Sequence, residues 1–273
     1  MKEQPGKKVL ITGAYGLIGN LVYARLAAQP DLYDVHGLVK RVGPSARARP
    51  INLYEIPDDR LRMADVSDFD AVQRAVEGMN VVIHLAADPD GQARWDSVLN
   101  NNIIGAYNIF ESCRLVGVKR VIYASTNQVV FGYRADERYK SLFANPFDKT
   151  ALETLAPIDH TLPARPLSHY ACGKVFGEAL AHMYAYTHGL SCICLRIGWV
   201  VPDDRVPHPR AQMLWCSQRD IVQLVERCIN APSNLRFDVF FGQSDNRFNL
   251  VDIQHAKDVL GYMPQDRAED HLA

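Results

Sequence analysis

Short apolar runs alternate with amphipathic stretches along the first two-thirds of the chain. Six runs rich in Val, Ile and Leu are predicted to be strands, at residues 8–12, 34–39, 61–64, 81–85, 120–124 and 191–196. The stretches between them show helical spacing, at about residues 16–28, 68–77, 95–116 and around Tyr170. Because continuous apolar strands that alternate with helices are buried on both faces, the pattern predicts an α/β fold with a doubly wound parallel sheet.

Two stretches interrupt this alternation and are predicted to be long loops near the strand ends. The first, residues 133–167, is charged and contains several prolines, and the second, residues 198–216, carries Pro202, Pro207 and Pro209. Three further elements are predicted after them, a helix at about 217–230, a strand at 238–242 and a short helix at about 252–260.

The composition excludes several classes of function. The 273 residues carry a formal net charge of −1, so the sequence predicts no basic surface for nucleic acid or an anionic membrane. We expect no signal peptide, and no apolar stretch approaches the ~18 residues that span a membrane. The six cysteines form no Cys-x-x-Cys pair and show no metal-ligand spacing. We therefore expect a cytoplasmic protein with reduced thiols and no bound metal.

Tyr170 and Lys174 are four residues apart, which places them on one face of a helix. A phenol loses its proton near pH ~10, and a neighbouring ammonium favours the phenolate. Such a tyrosine can take a proton from an alcohol while a cofactor takes the hydride. The same spacing also occurs on solvated helix faces, so its meaning depends on the rest of the chain.

The segment after the first strand carries three glycines, in the pattern Thr12-Gly13-Ala-Tyr-Gly16-Leu-Ile-Gly19. Glycines there let the backbone turn tightly and approach a pyrophosphate, whose charge the helix N-terminus favours. We therefore predict a dinucleotide-binding domain over residues 1–197. Residues 198–273 are predicted to form a small substrate-side cap that packs on it as one compact unit, with some strands returning to the sheet.

The end of the second predicted strand indicates which dinucleotide is bound. An acid there binds the adenosine ribose hydroxyls, whereas a basic residue tolerates a 2′-phosphate. The chain has Lys40 and Arg41 and no acid in reach, which favours NADP over NAD unless both side chains are simply solvated. Asp65, after the third strand, is placed either to accept a hydrogen bond from the adenine amino group or to cap the following helix.

Five motifs of the chain form a recognisable combination, Thr12-Gly-x-x-Gly-x-x-Gly19, His84-Leu-Ala-Ala87, Asn101-Asn-Ile-Ile-Gly105, Ala124-Ser-Thr126 and Tyr170-x-x-x-Lys174. Together they resemble the extended short-chain dehydrogenases/reductases of the NAD-dependent epimerase/dehydratase type. The resemblance spans about residues 7–262 and implies a Rossmann fold. Within that superfamily the chain is most similar to uronate dehydrogenases and a related archaeal dehydrogenase of glucose 6-phosphate.

The resemblance implies roles for individual residues. Thr126 matches the catalytic hydroxyl, Tyr170 the base, and Lys174 the partner that also binds the nicotinamide ribose. His84 is interpreted as a packed core residue rather than a ligand or base. The residues that we expect to bind the cofactor are Gly13, Tyr15, Gly16, Leu17, Ile18, Lys40, Arg41, Asp65, Val66, Leu85, Ala86, Ala87, Asn102, Tyr170 and Lys174.

The expected substrate-binding residues are Asp88, Ser125, Asn127, Gln128, Trp199 and Arg210. Arg210 matches an arginine that binds the substrate's anionic group, and a guanidinium suits a carboxylate or a phosphate equally well. A surface ion pair is the alternative role for this loop arginine. Gln128 replaces a histidine of the relatives, and Trp199 replaces a small hydroxyl residue of uronate dehydrogenases, which weakens a uronate assignment.

We therefore predict an NAD(P)-dependent dehydrogenase that oxidises the anomeric C1 hydroxyl of a sugar, uronate or sugar phosphate to a lactone. The substrate is expected to be anionic, and the resemblance implies a homodimer. A nucleotide-sugar epimerase of the same family is one alternative, although the short region after residue 198 offers little to enclose a nucleotide. A non-catalytic cofactor-binding regulator is the other, against which the intact set Thr126, Tyr170 and Lys174 argues.

Overall fold

The computed structural model describes residues 6–43, 53–144 and 156–272. In these ranges seven parallel strands form one sheet with the order β3-β2-β1-β4-β5-β6-β7. The order runs outward from β1 and β4, which confirms the doubly wound sheet and places its switch point between those two strands. The strands are β1 (Lys7–Thr12), β2 (Tyr33–Val39), β3 (Leu61–Met63), β4 (Val81–His84), β5 (Arg120–Thr126), β6 (Ser191–Ile197) and β7 (Phe237–Gly242).

Helices cover both faces of the sheet, because successive strand residues point to opposite sides and both sides are apolar. Val9 and Ile11 belong to the core on one side and Leu10 to the core on the other. The first side is covered by α1 (Leu17–Ala27), α7 (Gln218–Ile229) and α8 (Gln254–Leu260). The second is covered by α2 (Phe69–Val76), α4 (Gly105–Val116) and α6 (His169–His188).

The predicted helix at residues 95–116 is continuous but changes its winding. It begins as α3 (Trp95–Ser97), passes through a π-helical segment at Val98–Ile104 and continues as α4. Such wide turns are rare and occur frequently at functional sites. Here the segment lies beside the cleft described below, and Asn101 and Asn102 belong to it.

The region after residue 197 extends the sheet. β7 pairs with β6 over Cys192–Ile197, and α7 packs against α1. A 3-10 helix at Asn127–Ala135 leads into the predicted loop at 133–167, which contains α5 (Lys140–Ala144). Residues 145–155 of this loop, with Pro146, lie outside the described ranges.

Two general expectations can be compared with the described ranges. All six cysteines carry free thiols, and only Cys172 among them is exposed. None of the described helices has both the length and the apolar character needed to cross a membrane.

Candidate active site

One cleft of about 1320 Å³ lies at the carboxyl ends of the strands, where open α/β sheets bind their ligands. It extends from the ends of β2 and β3 to those of β5 and β6. Of the predicted site residues, all but Asn102 and Arg210 line it. These lining residues are Gly13, Tyr15, Gly16, Leu17, Ile18, Lys40, Arg41, Asp65, Val66, Leu85, Ala86, Ala87, Asp88, Ser125, Thr126, Asn127, Gln128, Tyr170, Lys174 and Trp199.

The glycine loop between β1 and α1 fits a dinucleotide pyrophosphate. Gly13 has a φ of +71°, and a Cβ there would lie 3.0 Å from the amide nitrogen of Ala86. A Cβ on Gly19 would collide with the carbonyl oxygen of Gly13. The first turn of α1 carries no acidic residue, and Gly16 at its N-cap offers no side chain to its free N–H groups. The helix N-terminus is therefore open to an anion.

A buried Thr12–His84 pair holds the end of β4 against this loop. The Thr12 hydroxyl oxygen accepts hydrogen bonds from the amides of Leu85 (3.1 Å) and Ala86 (3.0 Å). Its proton is therefore assigned to the bond with His84 Nδ1, at 2.8 Å, which leaves the His84 ring neutral. Burial, with a smaller effect from the ammonium of Lys174, lowers the pKa of His84 to about 3. His84 is thus a buried, neutral residue that fixes the glycine loop in place through Thr12.

The end of the cleft after β2 and β3, where the adenosine is predicted to bind and which is called the adenosine end below, contains an ion pair that the sequence did not reveal. Lys40 Nζ lies 2.6 Å from a carboxylate oxygen of Asp65, so the basic side chain is not simply solvated. Burial acts to raise the pKa of Asp65, but hydrogen bonds from Lys40 and Ser67 outweigh it and lower the pKa. The N-cap of α2 is Asp68, which accepts from the amide of Ala71, so capping by Asp65 is wrong.

Tyr170, Lys174 and Thr126 line the same cleft, and Thr126 is the last residue of β5. Ser168 caps the helix that carries the pair, with its hydroxyl accepting from the amide of Ala171. Lys174 is 4% exposed, and its Nζ donates to the carbonyl of Ala124 at 2.7 Å and lies 5.8 Å from the Tyr170 ring centroid. Burial lowers the pKa of Lys174 to about 8. A cation whose proton is loosely held therefore stands beside a phenol in the cleft.

A buried ion pair between Arg196 and Glu178 lies beside the strands that carry Ser125 and Thr126. The Arg196 guanidinium donates two hydrogen bonds to Glu178 on α6, at 2.9 and 2.8 Å. Ser125 donates to the same carboxylate at 2.5 Å. The Ser125 hydroxyl, predicted to bind substrate, is thus engaged with Glu178, although Ser125 also lines the cleft. Ser125, Glu178 and Arg196 together link β5, α6 and β6, and no motif in the sequence indicates this contact.

Neutral polar and aromatic side chains form the wall next to Thr126. Asn127 is 5% exposed, and its Nδ2 has no hydrogen-bond partner among the described residues. An unpaired buried donor costs free energy, so this N–H group is suited to donate a hydrogen bond to a bound ligand. Gln128 lies beside Gly91 at the neighbouring loop, and Trp199 is 42% exposed. Phe131, which the sequence analysis did not select, completes this wall.

The two predicted residues outside the lining have different surroundings. Asn102 is buried and clamps the Asp88 backbone, with its Oδ1 2.8 Å from the Asp88 amide and its Nδ2 3.0 Å from the Asp88 carbonyl. Its neighbour Asn101 lines the cleft instead. Arg210 is exposed in the 3-10 helix Pro209–Met213. No ion pair of Arg210 is seen within the described part of the chain.

A His–His–Asp group lies apart from the cleft lining. The candidate metal ligands of His160, Asp238 and His255 are within 4.8 Å of one another. The two imidazole rings are stacked, with centroids 3.7 Å apart and planes 8° from parallel. Because imidazole lone pairs lie in the ring planes, both rings cannot point at one ion in this arrangement. His255 Nε2 is hydrogen-bonded to Asp238 at 2.9 Å, which indicates a structural role.

The fold and the cleft define a dinucleotide-binding α/β protein of the Rossmann type. The family model described as the NAD dependent epimerase/dehydratase family matches residues 9–214. The chain belongs to this family, and it is an enzyme of the extended short-chain dehydrogenase/reductase type.

Three proteins illustrate the similarity. An NAD-dependent glucose-6-phosphate dehydrogenase of Haloferax volcanii is 34% identical over 98% of this chain and 95% of its own length. An L-arabinose 1-dehydrogenase (NAD(P)(+)) of the same organism is 32% identical over 96% of this chain and 97% of its own. The crystal structure of uronate dehydrogenase from Agrobacterium tumefaciens is 29% identical, covers 98% of this chain and 87% of its own, and has a TM-score of 0.76.

Proposed function

We propose that the protein oxidises the anomeric C1 hydroxyl of a sugar to a lactone, with NAD(P) as the acceptor. The observation that carries the proposal is that Tyr170, Lys174 and Thr126 line the same cleft as the glycine loop, with Lys174 Nζ 5.8 Å from the centroid of the Tyr170 ring. The similar glucose-6-phosphate, L-arabinose and uronate dehydrogenases support a sugar as the substrate.

In the proposed reaction Tyr170 removes the proton from the C1 hydroxyl. Thr126 binds the same oxygen and holds it beside the phenol. Lys174 stabilises the phenolate by its charge, and the hydrogen bond from Nζ to the Ala124 carbonyl fixes its position. A nicotinamide dinucleotide held by the glycine loop and Lys174 would supply the acceptor for the hydride from C1. The sugar loses one proton and one hydride, and the carbonyl of the lactone forms.

We propose that both dinucleotides are accepted and that NADP is favoured. Lys40 and Arg41 line the adenosine end, and neither the carboxyl end of β2 nor residues 40–43 directly after it carry an acid for the ribose hydroxyls. The Asp65 carboxylate holds Lys40 at 2.6 Å, and a 2′-phosphate would compete for this side chain. NAD has no 2′-phosphate and can bind without separating Lys40 from Asp65. The ion pair therefore reduces the preference for NADP over NAD.

We also propose that the protein forms a homodimer through α4 and α6. Apolar side chains are exposed on these two helices, namely Tyr107, Leu115, Phe176, Met183 and Tyr186. Exposed apolar patches on neighbouring helices favour association. Sedimentation of the wild type and of Tyr186→Glu is expected to give a dimer and a monomer, respectively. A monomeric wild type would contradict this arrangement.

A substrate screen tests the proposed reaction directly. Aldoses, uronates and sugar phosphates are each supplied with NAD or NADP, and the reduced nicotinamide is followed by its absorbance. At least one sugar is expected to give reduced cofactor together with an equal amount of lactone. Conversion of a nucleotide sugar without net reduction of the cofactor would favour the epimerase alternative. Cofactor binding without turnover of any compound would favour the non-catalytic regulator.

A further inference from the structure

Lys174 carries a buried charge that no carboxylate compensates within the described residues. It is almost fully buried at the end of the cleft after β5 and β6, where the sugar is proposed to bind and which is called the substrate end below. Glu178, one turn further along α6, is paired with Arg196 and accepts from Ser125 instead. Because a buried charge is costly without polar partners, other groups must stabilise the ammonium.

Two neighbouring residues of β5 provide that stabilisation. Lys174 Nζ donates to the Ala124 carbonyl at 2.7 Å and lies over the ring of Tyr123, 5.2 Å from the ring centroid. A cation within about 6 Å of an aromatic centroid is attracted to the negative face of the ring, and the attraction is larger when the groups are desolvated. Tyr123 is fully buried in the core. Its ring therefore favours the charged form of Lys174.

The position of the Tyr123 ring depends on a glycine of α6. Gly177 follows Lys174 by three residues on the same helix face, and a Cβ on Gly177 would collide with the Tyr123 ring. The ring also packs against Phe110 of α4 and His84 of β4, with centroids 5.8 Å apart in both cases. Its hydroxyl is buried without a hydrogen-bond partner in the described part of the chain. Packing of the ring, and not a bond of the hydroxyl, therefore holds Tyr123 in place.

A ring and a carboxylate would stabilise Lys174 with different consequences for Tyr170. A carboxylate would add a negative charge near the phenol and oppose its ionisation. The Tyr123 ring adds no net charge, because burial raises the pKa of its phenol well above the usual value. The ammonium, 5.8 Å from the Tyr170 centroid, therefore keeps its full attraction for a phenolate.

The titratable groups that face Lys174 come from three elements. They are Tyr123 of β5, His84 of β4, and Tyr170 and Glu178 of α6. His84 is neutral, Tyr123 is neutral, and Glu178 is held by Arg196. Tyr170 is thus the group whose ionisation is coupled to the charge of Lys174.

We propose that Tyr123 is a positioning residue for the oxidation: the face of its ring keeps the ammonium of Lys174 charged and directed at Tyr170, in the place that a carboxylate would otherwise take. The effect on turnover rests on the proposed function. The effect on the charge of Lys174 does not, and it can be measured without a substrate.

Two variants of Tyr123 separate the ring from the hydroxyl. Protein with isotope-labelled lysine side chains is titrated by NMR, and the Lys174 signal is identified by its loss in Lys174→Met. In Tyr123→Leu the pKa of Lys174 is expected to lie about one pH unit below that of the wild type, because the cation loses its aromatic partner. Tyr123→Phe keeps the ring face and is expected to restore the wild-type pKa.

The pH dependence of turnover gives a second readout that a merely structural role would not change. The alkaline limb of the kcat profile, where Lys174 loses its proton, is expected to move to lower pH in Tyr123→Leu, with kcat about fivefold lower at pH 8. Tyr123→Phe should restore the limb. Phe110→Leu removes another ring of the same apolar cluster, one that stacks on Tyr184, and should lose stability without moving the limb.

A Lys174 pKa that is the same in Tyr123→Leu and the wild type, or one that Tyr123→Phe lowers equally, would overturn the proposal whether or not the protein oxidises a sugar. Gly177→Ala displaces the same ring and provides the same pKa test should Tyr123→Leu fail to fold. The expected pKa changes without turnover of any sugar would refute the proposed function, yet would support the stabilisation of Lys174 by Tyr123.

Discussion

The two ends of the cleft are built in different ways. At the cofactor end, the backbone makes the site, with Gly13, Gly19 and the bare N-terminus of α1 shaped for a pyrophosphate. At the substrate end, side chains make the site, and they rest on the buried Glu178–Arg196 pair. A backbone site depends on a few glycines, whereas a side-chain site can change its ligand through single substitutions. One scaffold can therefore keep its cofactor while its substrate changes.

The largest expected effect separates the chemistry of the substrate end from cofactor binding. Tyr170→Phe removes the proposed base and is expected to lower kcat about 10²–10⁴-fold, the range for loss of general base catalysis. The dissociation constant of the cofactor, measured by calorimetry, is expected to change little. Tyr186→Phe, at an exposed tyrosine of the same helix, is the control and should keep full activity. Substantial turnover by Tyr170→Phe would exclude the mechanism.

The next largest effect is the loss of stability that follows when the buried Glu178–Arg196 ion pair is broken. Glu178→Gln leaves the guanidinium of Arg196 buried without its counter-charge, which is expected to cost about 3–5 kcal/mol of unfolding free energy. Glu137→Gln breaks an exposed pair with Lys140 and is expected to cost about 0–1 kcal/mol. Urea denaturation measures both. Equal losses of unfolding free energy in the two variants would show that the buried pair does not stabilise this end of the cleft.

Lys174, which the proposed mechanism requires, is expected to lower the stability of the folded protein. Burial lowers its pKa to about 8, so at pH 7 the folded state holds a buried ammonium at a cost of about 3 kcal/mol, from ~1.4 kcal/mol per pKa unit. Lys174→Met is therefore expected to be inactive and yet about 1–3 kcal/mol more stable at pH 7.

The pH dependence of this advantage follows from the sign of the shift. Between pH 8 and the ordinary lysine pKa of ~10.5, the unfolded chain binds more protons than the folded one. Stability of the wild type therefore rises with pH over this window, and the advantage of Lys174→Met shrinks. Lys119→Met, at an exposed lysine, is the control and should show no such trend. If Lys174→Met were more stable than the wild type by the same amount from pH 7 to 10, the lowered pKa of Lys174 would be contradicted.

A smaller effect is expected when Gly13 of the glycine loop is replaced, and it tests whether this loop binds the cofactor. Gly13→Ala forces a φ of +71° on a residue with a Cβ and brings that Cβ to 3.0 Å from the Ala86 amide nitrogen. The strain, of about 1–3 kcal/mol, is expected to weaken cofactor binding about tenfold. Gly78→Ala has a similar φ of +73° with nothing within 4 Å, so it should lose stability but bind the cofactor normally. Equal cofactor affinity in both variants would contradict a backbone-built phosphate site.

The smallest expected effect concerns the choice of cofactor. Lys40→Ala removes an exposed cation, so we expect NADP affinity to fall about two- to fivefold, within the ~1 kcal/mol typical of exposed ion pairs. NAD affinity should stay the same, and Lys119→Ala should alter neither. An equal loss for NAD and NADP would show that Lys40 does not contact a 2′-phosphate.

The sequence predicted the geometry of the glycine loop better than the contacts of the side chains around Thr126, for a physical reason. The glycine loop joins adjacent elements, so local spacing alone brings Gly13, Gly16 and the start of α1 together. The apolar runs likewise predicted the strands, because burial on both faces leaves a continuous apolar signal.

Side-chain partners across the sheet leave no such local signal. The Lys40–Asp65 pair joins residues 25 positions apart in the chain numbering, and Ser125, Glu178 and Arg196 come from three separate elements. The clamp of Asn102 on Asp88 depends on the π-helical segment, which the apolar periodicity does not distinguish from a regular helix. Arg210 sits in a proline-rich loop whose course no periodicity predicts.

Transfer of deuterium from C1 of an aldose tests the central claim most directly. The wild type is incubated with NAD or NADP and a D-glucose or D-galactose that carries deuterium at C1, and both products are analysed by mass spectrometry. The proposed reaction predicts one deuterium on the reduced nicotinamide and an unlabelled lactone in equal amount. Retention of the deuterium on a sugar product, or reduced cofactor without label, would contradict oxidation at C1.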